Sequence, residues 1–250
     1  MDLSSRRGWG VLLGLSTLIW LIIGFAGRIP AHPSTEPHLP GLAETLPQVS
    51  VVKARSKHPG YQREFFGPGW RAQPELGPGC TTRDRTLRAA GVTASCERRP
   101  HGALRDLYTG ETVDAATEDI QIDHIFPLAA AWDLGAAIWP SIKAEDFAND
   151  PLNIVAVSAH ANQEKSDALP SVWMPPYHRH HCWYSERLAY VAARYGLALP
   201  HKDIARMKRS CWVSEVLGFS LNSQFALSFP AAHHQRVRQA RLRRDVHTTQ

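Results

Sequence analysis

The sequence predicts an α+β fold: a mostly helical, disulfide-stapled domain built around a small strand, strand, helix unit and preceded by one hydrophobic helix. Three observations carry this. Two short apolar runs with branched residues, at 120–122 and 152–157 (LNIVAV), read as strands, and the second leads into AHANQEKSDA, which suits a short helix. Four cysteines, Cys80, Cys96, Cys182 and Cys211, are spread through the chain. An uncharged apolar run, WGVLLGLSTLIWLIIGFA, fills residues 9–26.

The first strand ends on an acid and an imidazole, Asp123 and His124. Strand side chains alternate between faces, so two neighbours serve one centre only where the strand ends or bends, and Pro127 supplies such an end. In the second unit Asn153 opens the strand, Ser158 offers a hydroxyl where a helix N-cap is wanted, Asn162 lies mid-helix and Pro170 stops the helix. A carboxylate and an amide oxygen are hard ligands suited to Mg²⁺, which keeps several waters and needs few protein groups. A neutral imidazole beside such an ion can take a proton from an attacking water. Taken singly, each of these residues is more often a surface, turn or satisfied polar residue. Their order along strand, strand and helix is what points to a phosphodiester-cleaving site.

These residues resemble the HNH endonucleases with a ββα-metal finger, in particular the exported bacterial branch related to the C-terminal domain of GmrSD restriction enzymes. That pattern is an Asp-His pair, then an Asn before Leu or Ile, then a helical Asn followed by Lys and often Gly-Asp. The chain supplies Asp123-His124, Asn153-Ile154 and Asn162-Gln163-Glu164-Lys165-Ser166-Asp167, with Ser166 departing from the usual Gly. Further matches are CTTRD at Cys80, LYTG at Leu107, AW and GA around Trp132 and Gly135, FAND at Phe147 and WMPP at Trp173, so that the likeness spans roughly residues 60–211. It implies His124 as general base, Asp123 and Asn162 as metal ligands, Asn153 as a brace for the finger and the His124 ring, and 5′-phosphate and 3′-hydroxyl products. Mg²⁺ is the expected ion, with Mn²⁺ an alternative. Lys165 is a weak candidate for contacting phosphate, an exposed helix lysine being the plainer reading. The finger itself would span residues 119–167.

Around this unit the chain divides by composition. Residues 1–8, with Arg6 and Arg7, form a basic leader expected in the cytoplasm, and 9–26 reaches the length of a membrane span, about 17 to 25 residues, while Gly24 and Ala26 keep signal cleavage open. The expectation is a membrane anchor with an extracytoplasmic body, or a secreted body if the segment is cleaved. Residues 27–58, rich in proline, read as an extended linker, 59–230 as the nuclease domain and 231–250 as a basic disordered tail. Four cysteines allow three pairings, and export favours disulfides; the expected pairs are Cys80 with Cys96 and Cys182 with Cys211. A zinc ribbon is disfavoured because no CxxC pair is present. Residues 128–139 (LAAAWDLGAAIW) suit a helix despite Gly135, with Trp132 and Trp139 covering the finger. His178, His180 and His181 beside Cys182 read as a solvated loop rather than a second metal site, and helices follow around Leu188 and Met207.

Net charge is +5, but it lies at the ends. Five arginines, Arg236, Arg238, Arg241, Arg243 and Arg244, less Asp245 contribute +4, and Arg6 and Arg7 less Asp2 contribute +1, so residues 8–235 carry none of it. The tail suits either phosphate contact or a disordered end. The expected function is metal-dependent hydrolysis of nucleic acid, DNA favoured. The alternative is an exported binding module that keeps the scaffold without turnover. A peptidase is disfavoured, since no HExxH or Cys-His nucleophile pattern is present.

Overall fold

The computed structural model of the chain describes residues 3–26, 38–94, 96, 100–117 and 119–216. The expected basic tail lies outside them. The first helix, α1 (Leu3–Ala26), grows from the apolar run, and Ser16 and Thr17 return their hydroxyls to the carbonyls of Leu13 and Gly14 one turn back. Leu12, Leu18, Trp20 and Ile22 are exposed on it. Among the described residues, however, no helix is long and apolar enough to cross a membrane. That overturns the expected transmembrane anchor, and the expected membrane contact with it.

The body then runs through α2 (Leu42–Thr45), β1 (Ser50–Val52), α3 (Thr82–Ala89), β2 (Ala103–Arg105), β3 (Thr112–Asp114) and β4 (Ile120–His124). It continues with α4 (Leu128–Asp133), α5 (Ser141–Ala148), β5 (Ile154–Ser158), α6 (Ala159–Lys165), α7 (His181–Tyr195), β6 (Ala198–Pro200) and α8 (His201–Val216). Among the described residues helices predominate, and the strands form three two-stranded sheets: β1 with β6 in parallel, β2 with β3 and β4 with β5 antiparallel.

Residues 38–58 correct the linker expectation. Leu42 and Val49 are buried in the main core, and Ser50, Val51 and Val52 pair with Ala198, Leu199 and Pro200. Arg55 donates to Asp133 at 2.7 Å and to Asp167 at 2.6 Å. The prolines here stop helices from extending, while the scattered Leu and Val between them find a surface to bury. Low local hydrophobicity hides such a segment because its partner strand lies far along the chain.

The β4–β5 hairpin is the frame. Its register pairs Ile120 with Ser158, Ile122 with Ala156 and His124 with Ile154. Because side chains alternate, one face carries Ile120, Ile122, Ile154 and Ala156 into a small core with Leu87, Val92 and Leu104. The other face sends Val155 and Val157 into the larger core with Tyr108, Leu169 and Tyr184. The hairpin is thus buried on both sides, which explains why 154–157 reads as a continuous apolar run. Ser158 closes β5 and caps α6 by accepting from the amide of Ala161, as its position in the sequence predicts.

The larger core is aromatic at its centre. Phe147 packs against Phe66, Phe126, Trp139 and Tyr195, at centroid distances from 5.0 to 6.2 Å. The alanine-rich stretch is not one helix: Gly135, at φ 136, ends α4, and a single 3₁₀ turn, Ala136–Ile138, follows. Trp132 packs on Phe65 and gives its indole N–H to His58, so it and Trp139 are packing residues. Both expected disulfides are present, Cys80 to Cys96 and Cys182 to Cys211, the second joining α7 to α8. In the His178–His181 segment His178 is exposed, but His180 and His181 are buried. His180 is 3% exposed and bonds the Leu107 carbonyl, and His181 bonds the Pro175 carbonyl. Burial holds both imidazoles below their ordinary pKa, so they are neutral packing groups.

Two stability changes follow. Phe147→Ala is expected to cost about 3 to 5 kcal/mol in urea unfolding, by lost burial plus the cavity left behind. Ser166 sits just after α6 at φ 51, the sole non-glycine positive φ among the described residues. Ser166→Gly, which restores the residue that the resemblance favours, is expected to raise stability by about 1 kcal/mol in the same measurement.

Candidate active site

Helix α6 lies across the Gln121 and Asp123 face of the hairpin. Asn162 Nδ2 donates to Gln121 Oε1 at 2.8 Å, and three residues on Lys165 Nζ lies 2.8 Å from Asp123 Oδ2. The i, i+3 spacing on the helix therefore meets the i, i+2 spacing on the strand. The two candidate ligands, Asp123 and Asn162, are thereby set on the same face, on neighbouring rungs.

Asp123 is 6% exposed, and its Oδ2 takes a second bond from the Tyr108 hydroxyl. Burial first, and the Asp123 carboxylate second, push the Tyr108 phenol well above its ordinary pKa, so it remains a donor. Lys165 is 0% exposed and also donates to the His124 carbonyl at 2.8 Å. It is not the exposed helix lysine expected, nor is its ammonium turned to solvent for a phosphate. A buried lysine persists because a carboxylate and a carbonyl receive it.

Tyr108 is held by Asp106. Asp106 Oδ1 accepts from the Tyr108 amide, and Oδ2 accepts from the amide and hydroxyl of Ser158 at 3.0 and 2.7 Å. Asp106 and Tyr108 have no place in the Asp-His and Asn pattern. The LYTG match at Leu107 was the signal that could have found the tyrosine.

His124 points to the opposite face from Asp123. Its ring stacks on Trp70, at a centroid distance of 5.5 Å and 17° between planes, and its Nε2 lies 2.9 Å from the Ala148 carbonyl oxygen. A carbonyl only accepts, so Nε2 carries the proton and Nδ1 keeps a lone pair. Desolvation is the main reason that the imidazole pKa falls to about 4. Trp70 has no signature in the sequence beyond the aromatic cluster to which it belongs.

Asn153 is fully buried at the strand exit. Its Oδ1 accepts from the Phe126 amide at 2.9 Å, and its Nδ2 donates to the carbonyls of Phe126 and Phe147 at 3.4 and 3.3 Å. One side chain thus ties the end of β4 to the end of α5, next to the carbonyl that holds His124.

The donor set suits a hard cation. Among the described residues Asp123 and Asn162 each use one polar atom in the bonds above, and the Oδ1 of each makes no hydrogen bond or ion pair. One carboxylate and one amide oxygen with completing waters is a Mg²⁺-type environment. A second group, Cys182, Glu186 and Cys211, holds its ligand atoms within 4.8 Å of one another and is a candidate metal cluster. Its sulfurs are joined as a disulfide, and the thiolate is the form that binds metal, so ligation there requires reduction.

Residues 82–198 match the family model of the GmrSD restriction endonucleases, C-terminal domain. An uncharacterized secreted protein of Arthroderma benhamiae is 35% identical over 178 residues, which cover 68% of this chain and 84% of the relative. The chain belongs to the GmrSD C-terminal domain family. The matched segment contains Tyr108, the whole hairpin, α6 and all of α7, whereas Trp70 lies ahead of it. No solved structure matches the chain, so for this member of the GmrSD C-terminal family the geometry comes from the present structure.

Two measurements test the electrostatics. Lys165→Met leaves the Asp123 carboxylate buried without its cation and is expected to cost about 3 to 5 kcal/mol, whereas Asp123→Leu with Lys165→Met removes both charges and recovers much of that. Separately, the depressed pKa of His124 means that the unfolded chain takes the proton first as pH falls. Its contribution, on the order of 3 kcal/mol, is complete above about pH 6.5 and is lost progressively toward pH 4. Urea unfolding at pH 7, 5.5 and 4.5 should show this slope flattened in His124→Asn; an identical slope would mean that the imidazole is not desolvated as described.

Proposed function

We propose that the domain is a metal-dependent endonuclease whose hairpin and α6 act as a ββα-metal finger of the HNH kind. Membership of the GmrSD C-terminal family supports the nuclease class. The observation that carries the mechanism is the tautomer of His124: with Nε2–H committed to the Ala148 carbonyl, Nδ1 is a neutral acceptor fixed in place by the Trp70 face.

In this reading Asp123 and Asn162 hold a divalent cation, Mg²⁺ or Mn²⁺, which when bound neutralises the scissile phosphate and stabilises the departing 3′ oxygen. His124 Nδ1 takes a proton from water as the water oxygen bonds to phosphorus and the P–O3′ bond breaks. The products are a 5′-phosphate and a 3′-hydroxyl. Asn153 acts by position, keeping the Phe126 and Phe147 backbone, and so the neighbouring Ala148 carbonyl, where His124 needs it. Lys165 positions the Asp123 carboxylate and the His124 carbonyl rather than touching substrate. DNA is the favoured substrate.

We also read the body as secreted. The relative described as secreted supports this, and two disulfides are stable in an oxidising compartment.

Purified protein should nick supercoiled plasmid with Mg²⁺ or Mn²⁺ and stop in EDTA. His124→Ala is expected to lower the rate at least about a hundredfold with the fold intact, in line with loss of a general base. Asp123→Asn with Asn162→Ala should abolish Mn²⁺ binding followed by electron paramagnetic resonance. A parental rate in His124→Ala removes the base assignment, and unchanged Mn²⁺ binding removes the ligands. A wild-type protein that binds DNA but never cuts it would instead favour the binding module.

A further inference from the structure

Beside the site lies a cleft of about 510 Å³, within the size range of ligand clefts, roughly 300 to 1,000 Å³. Four cations line it, Arg71, Arg85, Lys143 and Arg194, against two carboxylates, Asp146 and Asp150. The carboxylates are already engaged. Arg71 Nη2 lies 2.7 Å from Asp146, and Arg194 Nε lies 3.1 Å from Asp150.

Arg85 and Lys143 are different. Arg85 donates to the neutral Gln73 amide at 2.9 Å, and Lys143 sits 4.5 Å over the Trp139 ring. Among the described residues neither has a carboxylate within ion-pair distance. They stand on separate elements, α3 and α5, so the cleft presents two uncompensated positive charges. Residues 8–235 carry no net charge, so this excess is a local concentration and not a share of a generally basic body.

The cleft shares a wall with the candidate base. His124 is gripped by Trp70 and by the Ala148 carbonyl, and the next residue in each segment, Arg71 and Asn149, lines the cleft. The Arg71 amide donates to Asn149 Oδ1 at 2.8 Å, which ties the two segments together. A strand of nucleic acid with a phosphate at His124 would therefore pass its next phosphates along this wall.

We propose that Arg85 and Lys143 form a phosphate track that binds the nucleic-acid backbone next to the scissile bond; the assignment of nucleic acid as occupant rests on the nuclease reading. Phosphate contacts of this kind fix the register of the substrate without reading its sequence.

The test is fluorescence anisotropy of a labelled 20-base-pair duplex with the full-length protein in EDTA, across a salt series, with plasmid nicking in Mg²⁺ read separately. Each phosphate neutralised adds about 0.9 to the slope of log affinity against log salt. Arg85→Gln with Lys143→Met should therefore flatten the slope by about 1.8 and weaken binding about tenfold or more at low salt. Lys202→Glu with Lys208→Glu, which changes exposed lysines of α8 outside the cleft, should leave the slope closer to the parent's. Thermal melting checks the fold. If the double variant unfolds, Lys143→Met alone is read, with an expected loss of about 0.9. A variant with the parental slope overturns the track, as does a wild-type protein that binds no duplex at low salt. A wild type that never nicks yet shows the expected slope change defeats the nuclease reading and leaves the track standing.

Discussion

The pairing of β4 with β5 is the constraint on which the rest depends. A two-stranded sheet is marginal alone, and this one persists because both of its faces are buried, one under the Leu87 and Leu104 cluster and the other under Tyr108, Leu169 and Tyr184. Burial on both sides removes any freedom in register, since a slip of one residue would drive Gln121 and Asp123 into the small core and Ile122 out of it. Every candidate group inherits its direction from that register.

Placing polar groups in such an interior demands that each be answered. Asp106 takes backbone and hydroxyl donors from Tyr108 and Ser158, Asp123 takes Tyr108 and Lys165, and Asn153 satisfies the chain where it leaves the strand. Among the described residues Trp173 Nε1 is the sole buried side-chain polar atom left without a partner. The network does more than tolerate the charges. It links the β2–β3 turn, the hairpin and α6, so the position of Asp123 depends on a hydroxyl and an ammonium that approach from two elements.

Local signals made the hairpin, the Ser158 cap and the candidate residues legible, because strand alternation, a cap hydroxyl and an Asp-His pair are all written within a few residues. The features that were missed depend on distant partners. Ser50–Val52 is a strand only because residues 198–200 lie beside it. Lys165 is buried only because Asp123 awaits it, and His180 and His181 are neutral because the fold buries them, with the carbonyls of Leu107 and Pro175 receiving their ring N–H groups. The apolar run at 9–26 misled in the other direction, since continuous hydrophobicity names a helix without fixing what the helix does.

The two faces of β4 suggest a division of labour in the proposed reading. The Asp123 and Asn162 side, backed by α6, suits a cation, because an acidic group and an amide there each keep one oxygen uncommitted. The His124 side suits proton transfer, because burial keeps the imidazole neutral while an aromatic plane and a backbone carbonyl hold it without competing for Nδ1. Adjacent residues on a strand diverge, so the two functions meet only where the strand stops, at His124 and the turn through Phe126. That turn is held by Asn153, which reaches the backbone on both sides of it. The same alternation that separates acid from imidazole is therefore what makes an asparagine at the exit necessary: without it the rim at which the two faces join would have no fixed geometry.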